Sequence, residues 1–164
     1  MSSGEEYSQD EESFMRAAIE VARRGISAGQ SPFGSVIVQD GRIISATHNT
    51  VWRDVDPTAH AEVNNIRAAA RALRSIELGA GALYTTCEPC PMCLSAIHWA
   101  RINRVVYGAS IADAAAAGFS ELRVGAKELA AMGGSPLRVD SGLLAEECRA
   151  LFEEFRKAGK AQTY

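Results

Sequence analysis

His60-Ala61-Glu62 and, further along the chain, Pro89-Cys90-Pro91-Met92-Cys93 together supply three metal-ligating side chains and one acid. A structural zinc site closes its tetrahedron with four protein ligands, whereas a catalytic one keeps three and leaves the fourth corner to water. His60, Cys90 and Cys93 make three, and Glu62 adds a carboxylate that need not be a ligand. Cys90 and Cys93 lie three apart, which on a helix puts both sulfurs on one face. Pro91 fixes the helix entry, and the positive end of the helix dipole favours thiolate, the form a metal binds. On a regular helix His60 and Glu62 point about 200° apart, so they converge only on a pocket off the helix's N-terminal end.

Taken singly, these pieces have plainer explanations. Cys-x-x-Cys occurs in structural zinc knobs and redox motifs, and a lone His is usually a satisfied polar group. Cys87 extends the pattern to Cys-x-x-Cys-x-x-Cys, which suggests a fourth ligand or part of an iron-sulfur site. Pro89 opposes this, because the residue before a proline avoids the helical region and the turn does not reach back to Cys87. Cys148 falls on an apolar helix face and reads as core.

The elements that must position these residues follow from periodicity. Phe14, Ala17, Ala18, Val21 and Ala22 recur at helical spacing over 12–27. A hairpin is expected over 33–38 and 42–46 about the turn Asp40-Gly41, then a polar loop over 47–56. Asp56-Pro57-Thr58 signals a helix start, with Val63, Ile66, Ala70 and Leu73 as its buried stripe and an end near Gly79. A strand at 83–86, a helix at 90–100 and a strand at 104–109 give the alternation of a layered α/β domain. Its crossover is expected to be right-handed. Beyond Gly118 the pattern predicts a short helix at 127–132, an edge strand at 137–139 and a closing helix at 144–160.

The 164 residues fit one domain. With 47% hydrophobic and 23% charged residues and a net charge of −3, the chain offers no basic field for nucleic acid or anionic lipid. Four cysteines without a secretory signal, three of them within 87–93, read as metal chemistry in a reducing compartment. Residues 1–11, acidic and without a base, are expected to fray ahead of a single domain over 12–164, and a cytoplasmic location is expected. No apolar run approaches the ~18 residues of a membrane span.

Over roughly residues 14–155 the chain resembles the zinc-dependent nucleobase deaminases of the cytidine deaminase fold, whose signature is H-x-E with P-C-x-x-C. Residues 32–38, 56–62 and 86–93 most resemble bacterial guanine deaminases, and 114–119 with the terminal Tyr164 fit the same branch. The resemblance implies a three-layer α/β/α fold around a central mixed sheet and zinc held by His60, Cys90 and Cys93. It also implies hydrolytic deamination of a free base or related aminated heterocycle, guanine first, as part of purine metabolism. Zinc would lower the pKa of water toward roughly 7, while Glu62 moves the proton to a ring nitrogen and the leaving amine. Asn49 matches the position where a side-chain amide meets the base edge; read alone, it is equally a loop-capping residue. Phe33 stacks on the ring or is simply core, and Ala61 and Tyr164 complete the implied substrate contacts. Where related enzymes carry an Asp that accepts protons from guanine, this chain has Gly118-Phe119-Ser120-Glu121. The carboxylate is kept but lengthened by a methylene. A homodimer with exchanged or interlocked C-terminal segments is implied as well.

Two rival functions remain. A tRNA adenosine deaminase shares the zinc motif and residues 101–108 in outline, but polynucleotide binding relies on clustered Lys and Arg, and residues 146–160 mix four Glu with two Arg and two Lys. A zinc-stabilised interaction module without activity has no use for a free carboxylate beside the metal.

Overall fold

The computed structural model describes residues 6–159 and 162–164. Its elements in chain order are α1 (Gln9–Ser27), β1 (Gly34–Gln39), β2 (Arg42–His48), α2 (Val51–Asp54), α3 (Ala61–Leu73), β3 (Gly81–Cys87), α4 (Pro91–Trp99), β4 (Arg104–Ala109), α5 (Ile111–Ala116), α6 (Ala126–Met132), β5 (Arg138–Ser141) and α7 (Ala145–Lys157). The strands form one mixed sheet ordered β2-β1-β3-β4-β5. β1 pairs antiparallel with both β2 and β3, whereas β3, β4 and β5 run parallel.

Alternation along the strands builds the three expected layers. Val36, Val38, Tyr84 and Val106 face α1 and α7, packing with Met15, Ile19, Cys148 and Leu151. Ile37, Leu83, Val105 and Val139 face the other way, toward Ala69 of α3, Leu94 and Ile97 of α4 and Ala130 of α6. Successive side chains on a strand point to opposite faces, so near-continuous apolar runs are what strands covered on both sides require. Cys148 is core, as its helix face implies.

Several boundaries differ from the periodicity. Helix α1 begins at Gln9, ahead of residue 12, because Ser8 and Glu11 form a reciprocal capping box and Asp10, Glu11 and Glu12 favour the positive end of its dipole. Glu11 also pairs with Arg104 of β4. The expected frayed segment therefore does not extend through residue 11, and its first five positions lie outside the described residues. The loop at 47–56 contains the end of β2 and the single turn α2. α3 starts only at Ala61: Asp56 caps the Thr58 N–H at 2.8 Å, and Thr50 N–H binds the Ala59 carbonyl at 3.0 Å, holding 56–59 out of the helix. Its buried positions are Ala61, Glu62, Asn65 and Ala69; of the expected stripe, Val63, Ile66 and Ala70 are half-buried, Ile66 packing on the core, and Leu73 is exposed. The rotation follows from the sheet surface beneath. Ser35 of β1 accepts from Asn65 Nδ2 at 3.0 Å, and Ser45 of β2 donates to Asn65 Oδ1, so a polar residue completes that contact.

Gly34 is where α1 comes closest to the sheet. A Cβ there would overlap the Ala18 carbonyl oxygen and stand 2.7 Å from the Ala22 nitrogen, both backbone atoms of one helix. Gly34→Ala is expected to destabilise the fold by about 1–3 kcal/mol, because α1 must move as a body to relieve the overlap. Chemical denaturation checks this; an unchanged midpoint would mean α1 is free to shift. Among the described residues no helix is long and apolar enough to cross a membrane.

Candidate active site

Two helix N-termini meet beside the C-terminal end of β3. His60 is the N-cap of α3 and Cys90 the N-cap of α4, both with extended backbone, and Pro91 occupies the first turn of α4. Late initiation of α3 therefore puts His60 at the helix mouth and Glu62 in its first turn, the one geometry that lets residues two apart converge. His60 Nδ1 lies 3.6 Å from Cys90 Sγ and 3.5 Å from Cys93 Sγ. A tetrahedral ion with Zn–N near 2.05 Å and Zn–S near 2.3 Å requires N···S separations of about 3.6 Å. The donor set thus fits zinc with Nδ1 as the ligating nitrogen, and all three ligand atoms lie within 4.8 Å of one another. Cys87 stands apart from the cluster; its thiol faces the Ser110 carbonyl at 3.5 Å, as the Pro89 argument requires. That removes the fourth-ligand reading.

The electrostatics suit metal capture. The Cys93 thiol hydrogen-bonds Cys90 and, with His60, holds the Cys90 thiol down to about 4, while that same bond and burial push Cys93 well up. Metal binding would release whatever thiol protons the pair retains, because thiolate is the ligating form. Glu62 is buried beside the ligands: Oε1 accepts from the Thr85 hydroxyl at 3.0 Å and Oε2 lies 3.5 Å from Cys93 Sγ. Burial pushes its carboxyl up, and zinc would oppose that shift.

The remaining residues expected at the site fall into two groups. Phe33, Asn49 and Glu121 line the cleft in front of His60, Glu62 and Cys90. Phe33 also stacks edge-on against Phe119, with centroids 4.9 Å apart, so it is both core and lining. Asn49 is fully buried; its Oδ1 accepts from Val51 N–H at 3.1 Å and its Nδ2 donates to the Tyr164 hydroxyl at 2.7 Å. The loop-capping and substrate readings are therefore compatible, since the amide retains one donor and one acceptor position. The Glu121 carboxylate has no hydrogen-bond donor among the described residues, and burial pushes it up. Ala61 is fully buried, and its carbonyl accepts from the Thr47 hydroxyl at 2.8 Å, outside the cleft lining.

Tyr164 roofs the cleft from its own chain. Its ring lies 5.9 Å from His60, 5.9 Å from Trp52 and 5.8 Å from Phe119, and its terminal oxygen accepts from Ser120 N–H at 2.9 Å. Burial pushes its hydroxyl pKa up, so it stays protonated and retains a proton to donate.

Three further residues contribute without having stood out in sequence. Thr85 holds Glu62. Glu88 accepts from Ile111 N–H at 3.0 Å and Ala126 N–H at 2.8 Å, tying the Cys90 loop to the first residues of α5 and α6, which flank the Glu121 segment. Trp52 abuts the Tyr164 ring. Glu88 was visible inside the Cys-Glu-Pro-Cys run; Thr85 carried only a strand signal.

Residues 8–109 match the cytidine and deoxycytidylate deaminase zinc-binding region. The chain is 51% identical to guanine deaminase of Bacillus subtilis over 111 residues, 67% of this chain and 71% of that protein. It is 37% identical to the tRNA-specific adenosine deaminase of Haemophilus influenzae over 154 residues, 90% of this chain and 84% of that protein. A solved guanine deaminase from Nitrosomonas europaea superposes with a TM-score of 0.82 at 28% identity, covering 89% of this chain and 84% of that one. On this match, and with three ligands spaced for zinc and a free carboxylate beside them, the chain belongs to the zinc-binding cytidine and deoxycytidylate deaminase family.

Proposed function

We propose that this protein is a guanine deaminase, converting guanine and water to xanthine and ammonia. The observation that carries this reading is the roof: Tyr164, hydrogen-bonded to Asn49 and Ser120, covers the cleft over the zinc ligands. The outer mouth supports it, being lined by Pro57, Met92, Leu122 and Glu121 with no Lys or Arg among the described residues, where a tRNA strand would need cations for its phosphates.

Zinc held by His60, Cys90 and Cys93 supplies the Lewis acidity that makes water a nucleophile near neutral pH. Glu62 accepts one proton from the attacking water and passes it to a ring nitrogen, then takes the second from the new hydroxyl at C2 and delivers it to the departing amine as the C2–N bond breaks. Phe33 contacts the ring, Asn49 offers its spare donor and acceptor to the ring edge, and Glu121 accepts from ring N–H groups. Ala61 acts indirectly, by fixing the first turn of α3. The hydroxyl of Tyr164 and the burial it provides exclude water and strengthen the polar contacts beneath.

The same reading takes residues 12–164 as one deaminase domain working in cytoplasmic purine metabolism as a homodimer. The exposed apolar Met92 and Trp99 of α4, with Met132 of α6, support association with a second copy.

Two results are expected at the cleft. Deleting residues 162–164 leaves Asn49 Nδ2 without its partner and opens the cleft, lowering kcat/KM for guanine by about ten- to a hundredfold while zinc stays bound. Full activity of the truncated protein would show that the roof is dispensable. Glu121→Gln loses a charge-assisted acceptor, which costs about ten- to a hundredfold in kcat/KM for rings with N–H donors on that edge and little for rings without them. Equal losses on both classes would remove Glu121 from recognition.

The reading as a whole is tested by incubating the zinc-loaded protein with guanine, guanosine, adenine, cytosine, ammeline and a tRNA anticodon stem and measuring ammonia. Preference for guanine supports it. Release from the tRNA stem alone would favour the tRNA adenosine reading, and release from none would favour the interaction module.

A further inference from the structure

We propose that Thr85 is a positioning residue for Glu62: its hydroxyl makes the two carboxylate oxygens inequivalent, fixing Oε1 to the sheet and leaving Oε2 to carry the proton. The proposal rests on the deaminase reading of Glu62. Thr85 is fully buried in β3, which lies between β1 and β4. It stands opposite Ser35 on one side and Tyr107 on the other, so its backbone is held by a ladder on each edge. Its hydroxyl donates to Glu62 Oε1 at 3.0 Å, and a threonine has only that one proton to give.

The second carboxylate oxygen has different company. Oε2 lies 3.5 Å from Cys93 Sγ, on the ligand side of the carboxylate. Thr85 is the one side-chain hydroxyl donor to Glu62 among the described residues, beside the backbone N–H of Glu62 itself. When Glu62 takes up a proton during turnover, Oε1 is already engaged as an acceptor, and the proton is directed to Oε2, beside the reacting centre. A donor that orients a group acting next to a metal commonly alters rate without altering ligand count.

The surroundings preserve this arrangement. Ser35, opposite Thr85, is itself buried and accepts from Asn65 Nδ2 at 3.0 Å; Asn65 lies on α3, three residues beyond Glu62. The strand that carries Thr85 and the helix that carries Glu62 are thereby linked through a second buried polar contact, which fixes the distance the hydroxyl must span.

Steady-state kinetics on guanine with the zinc-loaded full chain test this. Thr85→Val replaces the hydroxyl with a methyl of similar volume and is expected to lower kcat by about ten- to a hundredfold with KM changed by less than about twofold. Zinc content stays at the wild-type level. Thr85→Ser, which keeps the hydroxyl, recovers most of the rate. In a Glu62→Gln background Thr85→Val costs less than about twofold, because the hydroxyl acts through the carboxylate. If valine prevents folding, Thr85→Ser against Thr85→Ala gives the same comparison. A valine variant as fast as wild type, serine and valine equally slow, a loss confined to KM, or an undiminished penalty in the Glu62→Gln background would each overturn the proposal. Wild-type protein that releases no ammonia from any ring overturns the deaminase reading itself; active wild type with an indifferent Thr85→Val overturns this proposal alone.

Discussion

Glu62→Gln is expected to retain zinc and the native fold while turnover falls by about 10²–10⁴. The substitution preserves size, and the amide oxygen can still accept from Thr85 in the place of Oε1. What the amide cannot do is take a proton from water and return it to the ring and the amine. Zinc retention is the informative half of the result, because the carboxylate stands beside three donors already spaced for a tetrahedral ion and is not one of them. Metal analysis and ammonia release on the same preparation separate the possibilities. Zinc lost with the rate would make Glu62 a ligand, and a rate near wild type would leave the cluster as a structural site.

His60→Ala and Cys90→Ala are each expected to lose both zinc and activity. Two remaining donors leave half the tetrahedron to water, and the helix N-termini that present the ligands contribute no replacement: His60 and Cys90 are the caps of α3 and α4, and neither cap makes a side-chain hydrogen bond to its helix. Removing either side chain thus deletes a ligand without deleting a cap contact, so circular dichroism should stay near wild type while metal content collapses. Chelation of the wild type should reproduce the inactivity, and added zinc should reverse it. Stoichiometric zinc in both variants, or bound iron with a charge-transfer colour, would rule out this ligand set.

Much of this site was legible before the fold. Three ligands with a spare carboxylate, Pro91 after Cys90 and the helix-start signal at 56–58 were enough to put His60 and Cys90 near two helix ends, although α3 itself begins only at Ala61. The alternation of strands and helices pointed to a layered α/β domain, and the family resemblance implied its three layers. The misread parts have local causes. The buried face of α3 was rotated because Asn65, a polar residue, packs on Ser35 and Ser45, a contact that hydrophobic periodicity cannot register. α2 is a single turn too short for periodicity. α5 begins at the Ser110–Asp113 capping box but lies in an alanine-rich run without the apolar contrast that periodicity needs. Thr85 and Glu88 act through partners distant in sequence, and nothing in their neighbours' identities marks those partners.

Hydrolysis of guanine is the central claim, and it is tested most directly by running the wild-type reaction in water enriched in heavy oxygen and analysing product mass alongside ammonia. The account predicts xanthine carrying one solvent oxygen and one ammonia released for each guanine consumed. Guanine recovered unchanged, or product formed without equivalent ammonia and without the solvent label, would contradict it.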